Sequence, residues 1–182
     1  IVTDSNPDGP CTFTISDITV NVANTISVGS NITHVRCFGA ATGAISVNVT
    51  GGSGTYHYLW SGPDGFSSND ANITGLKAGS YTLVVSDVIA GTSCSVTRTF
   101  VVEEPTSAIE VTDVTVGGVD CRGNATGSID ITVAGGTAPY SFQWTGPASI
   151  PDPTLEDLSN VRSGVYNVVI TDANGCVLDY AA

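Results

Sequence analysis

The chain repeats itself. Cys37-Phe38-Gly39-Ala40-Ala41-Thr42-Gly43-Ala44-Ile45 returns as Cys121-Arg122-Gly123-Asn124-Ala125-Thr126-Gly127-Ser128-Ile129, an offset of 84 residues between Cys37 and Cys121. The same offset carries Gly51-Gly52 to Gly135-Gly136, Tyr56 to Tyr140, Trp60 to Trp144 and Gly62-Pro63 to Gly146-Pro147. One insertion later, Gly79, Tyr81 and Asp87 return as Gly164, Tyr166 and Asp172. A period of this size means that one folding unit of about 84 residues is used in tandem, so the fold must be read per repeat. The opening segment continues the series: Ile1-Val2-Thr3-Asp4 followed by Cys11 mirrors Val84-Val85-Ser86-Asp87 followed by Cys94. Residues 1–20 therefore read as the tail of a preceding repeat, 21–105 as one unit, and 106–182 as a second that lacks its last few residues. Glu103-Glu104-Pro105-Thr106-Ser107 reads as the join, because proline and exposed charge end a strand.

Within a unit the apolar residues alternate. Ile45, Val47 and Val49 share one face, as do Tyr56, Tyr58 and Trp60, and then Tyr81, Leu83 and Val85. Gly51-Gly52-Ser53-Gly54, Gly62-Pro63-Asp64-Gly65 and Ala78-Gly79 supply the turns between them. A period of two with one apolar face predicts half-buried strands. Val, Ile and Thr dominate, while Leu, Lys, Glu and Gln, the usual fillers of helix surfaces, are scarce. The expectation is an all-β chain of tandem immunoglobulin-like β-sandwich repeats, each with about seven strands. Trp60 and Trp144 fall where such sandwiches bury a large aromatic on the third strand. Tyr81 and Tyr166, each following Gly-x, resemble the corner in which a Tyr hydroxyl ties a loop to its strand. These four aromatics are the predicted structural core.

Charge narrows the partners. Seventeen acidic against five basic residues give a net charge of -12, which excludes a nucleic-acid partner that needs clustered Lys and Arg. It equally disfavours docking on an anionic membrane, and no apolar run is long enough for insertion. Five cysteines outside any CxxC spacing favour an oxidising, extracellular location over a zinc site. With no methionine and no signal-like opening, the chain reads as an internal piece of a longer, processed protein.

The constellation Cys121-x-Gly123-x-x-x-Gly127-x-Ile129, Gly135-Gly136-x-x-x-Tyr140-x-x-x-Trp144, Gly164-x-Tyr166 and Thr171-Asp172-Ala173-Asn174-Gly175-Cys176 resembles the SprB repeat family. That resemblance implies a segment of a very large surface adhesin of gliding bacteria, exported by type IX secretion and displayed on the cell surface. The earlier copies depart from it at the last turn. Asp87 reaches Cys94 through Val-Ile-Ala-Gly-Thr-Ser, and Asp4 reaches Cys11 through Ser-Asn-Pro-Asp-Gly-Pro.

Chemistry-bearing residues are few. His34 and His57 do not recur between repeats, and no nucleophile motif accompanies them, so no enzyme is expected. Asp4, Asp8, Asp87, Asp172 and Asn174 lie in the turn before the last strand. Hard oxygens in a loop suit calcium, with Glu103, Glu104, Asp113 and Asp120 as further donors between repeats. The competing reading is that these residues shape turns. The cysteines allow links within a repeat, Cys37–Cys94 and Cys121–Cys176, or between successive motifs, Cys11–Cys37 and Cys94–Cys121. Two functions follow: a passive, extended stalk or adhesive filament whose nearest partners are neighbouring repeats of the same chain, or a carbohydrate-binding module targeting a polysaccharide. The second requires an exposed aromatic platform, and the placed aromatics alternate inward.

Overall fold

The computed structural model describes residues 25–89, 92–121, 123–147 and 149–181, together with the short strands β1 (Val2–Thr3) and β2 (Thr12–Phe13), which pair antiparallel. Asp4, Asp8 and Cys11 lie outside the described residues. The fold is all-β, and its described strands pair antiparallel throughout.

In the first repeat, β3 (Ser27–Thr33), β4 (Gly43–Thr50) and β7 (Ile73–Leu76) form one sheet. The facing sheet runs β6-β5-β8-β9 and is built from β5 (Tyr56–Ser61), β6 (Ser67–Ser68), β8 (Gly79–Ile89) and β9 (Thr92–Val102). The second repeat repeats the plan. Strands β10 (Glu110–Gly117), β11 (Gly127–Ala134) and β13 (Leu158–Val161) make one sheet; β12 (Ser141–Thr145), β14 (Asn167–Thr171) and β15 (Val177–Ala181) make the other. The second repeat has no described counterpart of β6, so β13 stands where β7 does, and pairing such a three-stranded sheet with the remaining strands is the immunoglobulin-like arrangement.

Each repeat closes on its own core. Ile45, Trp60, Ile73, Leu76, Tyr81, Leu83 and Val85 are buried together in the first; Ile129, Ile131, Trp144, Leu158, Tyr166, Val168 and Ile170 are buried in the second. The inward positions come from every second residue of facing strands, so the two sheets supply alternate sides of one apolar layer. Trp60 is fully buried, its ring 5.6 Å from that of Phe100, and its indole N–H donates to Asp70 O at 2.9 Å. Trp144 does the same with Leu155 O at 3.0 Å. A buried indole keeps its donor satisfied this way.

Besides the insertion before Gly164, the offset also changes by one between Ile26/Ile109 and Cys37/Cys121, and that change has a structural origin. Strand β3 pairs with β4 without interruption, whereas β10 carries a register shift between Val111 and Asp113 opposite β11. The extra residue is a bulge. It moves the offset by one between the strand start and the Cys-bearing loop, while Ile26 and Ile109 still reach their respective cores.

Candidate functional site

The repeated motif residues lock one another. Gly51-Gly52 turns with φ of 86° and 59°, and Gly135-Gly136 with 75° and 57°. A Cβ on Gly52 would run into the Asp87 carboxylate, and one on Gly136 would lie 2.9 Å from Asp172 Oδ2. The turn is thus wrapped around a buried carboxylate, which only glycine permits. Asp87 Oδ2 accepts the Ser53 N–H at 2.7 Å, and its Oδ1 accepts the Ser53 hydroxyl. Asp172 Oδ2 accepts the Thr137 N–H at 2.9 Å, and its Oδ1 accepts from Asn174 N and Cys176 N at 2.9 and 2.8 Å. The Tyr56 and Tyr140 hydroxyls donate to Gly51 O and Gly135 O, each at 2.5 Å.

The opposite end is fastened by the other pair of tyrosines. Tyr81 OH donates to Lys77 O at 3.0 Å and Tyr166 OH to Arg162 O at 2.8 Å. Burial holds the Tyr81 phenol above its usual pKa. Gly62 lies against this ring so closely that a Cβ there would sit 2.5 Å from Tyr81 Cδ1.

Asp87 does not lie in the turn before the last strand, as the sequence suggested, but within β8, where it braces the turn between β4 and β5 through Ser53. Asp172 braces the matching turn at Thr137 and, in addition, the turn that enters β15. Asp172 has three backbone N–H groups on one carboxylate, and the Asn174 amide donates from Nδ2 to Thr137 Oγ1 and Arg36 O, each at 3.0 Å. A calcium ion at this turn would compete with those donors for the same oxygens. Among the described residues no three His, Cys, Asp or Glu side chains come together in a metal-binding group. Of the inter-repeat carboxylates, Glu104 Oε2 accepts the Gly39 N–H at 2.6 Å, while Glu103, Asp113 and Asp120 are exposed. Replacing Asp172 with Ala should destabilise the second repeat by about 2–3 kcal/mol, since partly buried N–H donors lose a charged acceptor. Chemical denaturation with calcium and with EDTA checks it; a loss that appears only with calcium would make the residue a metal ligand instead.

His34 and His57 are exposed, 23 positions apart on different elements. His34 Nδ1 accepts the Glu103 N–H at 3.0 Å, and Val35 N donates to Glu103 O at 2.8 Å. Both bonds fasten the loop between β3 and β4 to the outlet of β9. That loop carries Cys37.

Cys37 is bonded to Cys176, with Cα atoms 5.6 Å apart and a sequence separation of 139. Neither pairing scheme drawn from the sequence is the one formed. Within a repeat the partners stand at opposite ends. Cys37 lies beside Glu103 and Glu104, whereas Cys94 faces Asp87 at the far end of β9. Nine residues of strand separate those ends by about 30 Å, beyond disulfide reach. For the same reason Cys94 and Cys121 stay apart, and both are free and exposed. The bond instead crosses the junction, from the leading cysteine of one repeat to the trailing cysteine of the next. Asn174 Nδ2 on Arg36 O seals the seam beside it. A groove of about 390 Å³ follows the seam, lined by Phe38, Ala108, Ile109, Val177 and Leu178 among others.

The SprB repeat family model matches residues 29–65 and 109–149, one stretch in each repeat. Among the solved structures, the chain is similar to the three N-terminal domains of the bacteriophage RB49 Highly Immunogenic Outer Capsid protein, Hoc. Identity is 19%, the TM-score 0.43, and the match covers 88% of this chain and 58% of that one. The chain thus spans under two thirds of that structure. No curated protein matches it. No described helix is long and apolar enough to cross a membrane.

Proposed function

We propose that this chain of SprB-type repeats is a non-enzymatic, load-bearing segment of a secreted cell-surface adhesin, serving as an extended stalk in surface attachment and gliding motility. One observation carries the reading: the residues that recur between repeats are spent on the scaffold. Gly52, Asp87, Tyr56, Trp60 and Tyr81, and their counterparts in the second repeat, brace turns or fill cores. A repeat that preserves only its scaffold is suited to spacing and to transmitting force between neighbours. The junction disulfide adds covalent continuity, and it needs the oxidising surroundings of an exported protein. The net charge of -12 keeps neighbouring rods apart.

The same burial speaks against a carbohydrate platform, since Trp60, Trp144, Tyr81 and Tyr166 face the cores. Antibodies raised against the chain should label intact, unpermeabilised cells of its source, and labelling should vanish when type IX secretion is disabled. Labelling only after permeabilisation would remove the reading. On a glycan array the purified chain should bind no sugar class reproducibly; selective binding to one class would favour a lectin.

A further inference from the structure

Repeat equivalence places the two free thiols among the described residues at matching positions on opposite ends of the pair. Cys121 is the counterpart of Cys37, the leading half of the junction bond, and Cys94 that of Cys176, the trailing half. The loop bearing Cys121 already holds the conformation of the bonded one. Asn124 N donates to Cys121 O as Ala40 N does to Cys37 O, each at 3.0 Å. Asp120 N donates to Thr126 Oγ1 at 3.0 Å as Arg36 N does to Thr42 Oγ1 at 3.2 Å. Cys94, across from Asp87, sits beside the same turn-bracing carboxylate as Cys176 beside Asp172. Both thiols are exposed.

We propose that Cys121 and Cys94 are the open halves of the junction disulfide, each made to bond a further copy of this repeat. Cys121 takes the trailing cysteine of a repeat that follows, and Cys94 the leading cysteine of one that precedes. Each bond forms from two thiols by thiol–disulfide exchange: an oxidised dithiol of the secretory surroundings, or oxidised glutathione in vitro, accepts two electrons while two protons leave. The contact is heterologous, head to tail, so it propagates without closing. Successive bonds overlap, because each begins inside the loop closed by the one before. This inference rests on the repeat equivalence and not on the adhesin reading.

The test lengthens the whole chain. Residues 101–107 and then a copy of residues 25–105 are added after Ala182, with Cys94→Ser in the original and Cys37→Ser in the added copy. The copy's own trailing cysteine is then the only new thiol. After oxidation in glutathione buffer, non-reducing peptide mapping should find Cys37–Cys176 and a new bond from Cys121 to the added cysteine. Alkylation of Cys121 should fall at least tenfold relative to the unextended chain. If Cys121 stays alkylatable, or bonds elsewhere, while Cys37–Cys176 forms, the proposal is overturned. If Cys37–Cys176 itself fails to form, the equivalence it is built on is lost. A second variant, with the added trailing cysteine also replaced by Ser, should restore full alkylation of Cys121; continued protection there would mean simple burial and would equally overturn it.

Discussion

Pulled from its two ends under oxidising conditions, the chain should refuse to release most of its length. The Cys37–Cys176 bond short-circuits 139 residues, so tension runs through residues 1–37, across the disulfide, and out through residues 176–182. Only β3 and β15 lie on that path among the strands of the two repeats; the remaining strands and both tryptophans lie inside the closed loop. Adding a reductant should expose an extra contour of roughly 460–500 Å, from 3.3–3.6 Å per extended residue. Single-molecule force spectroscopy reads this directly. Cys37→Ser should behave as the reduced chain does in either buffer. Identical extension with and without reductant would mean that the junction carries no covalent bond under load. For a surface stalk the consequence is that pulling strips an outer strand and then meets a covalent stop, before either core is loaded.

Trp60→Ala should cost the first repeat about 3–5 kcal/mol, against the 5–15 kcal/mol that typically holds a domain folded. The fully buried indole packs on Phe100, and its N–H is held by Asp70 O. Deletion leaves a cavity and removes the hydrogen bond to Asp70 O together. The protein has two tryptophans, one per core, which makes the measurement clean. In Trp60→Ala, fluorescence reports the second repeat alone through Trp144, while circular dichroism reports both. The expected result is an early circular-dichroism transition that the fluorescence does not follow. A variant that melts within a degree or two of the parent would contradict the packing described for this core.

The all-β character is legible in the sequence because burial on one face of a strand imprints a period of two, as along Ile45, Val47 and Val49. Turns are legible too, since Gly51-Gly52 can be read as a break without knowing its cause. The cause is not local: Asp87 lies 35 residues downstream and slides under the turn only once β5 and β8 are paired. A residue that reads as turn former or as metal ligand shows its contacts only in the fold, where backbone N–H groups bond the oxygens of Asp172. The cysteines are the plainest case. Spacing within one repeat suggests that its leading and trailing cysteines belong together, but the sandwich sends them to opposite ends. Their nearness across the junction depends on how consecutive repeats abut, and no alternation or turn signal encodes that. Hints existed in Asn174-Gly175-Cys176 and in Glu103-Glu104, whose side-chain and backbone bonds hold the two lips of the seam.

The central claim is that consecutive repeats are locked to each other rather than each within itself. Non-reducing peptide mapping of the 182-residue chain, recovered from an oxidising compartment with free thiols blocked at harvest, tests it most directly. A single major cross-link joining the Cys37 peptide to the Cys176 peptide, with Cys94 and Cys121 carrying the blocking group, is the predicted result. Cross-links Cys37–Cys94 and Cys121–Cys176 would contradict it, for they would close each repeat on itself and leave the junction unbonded.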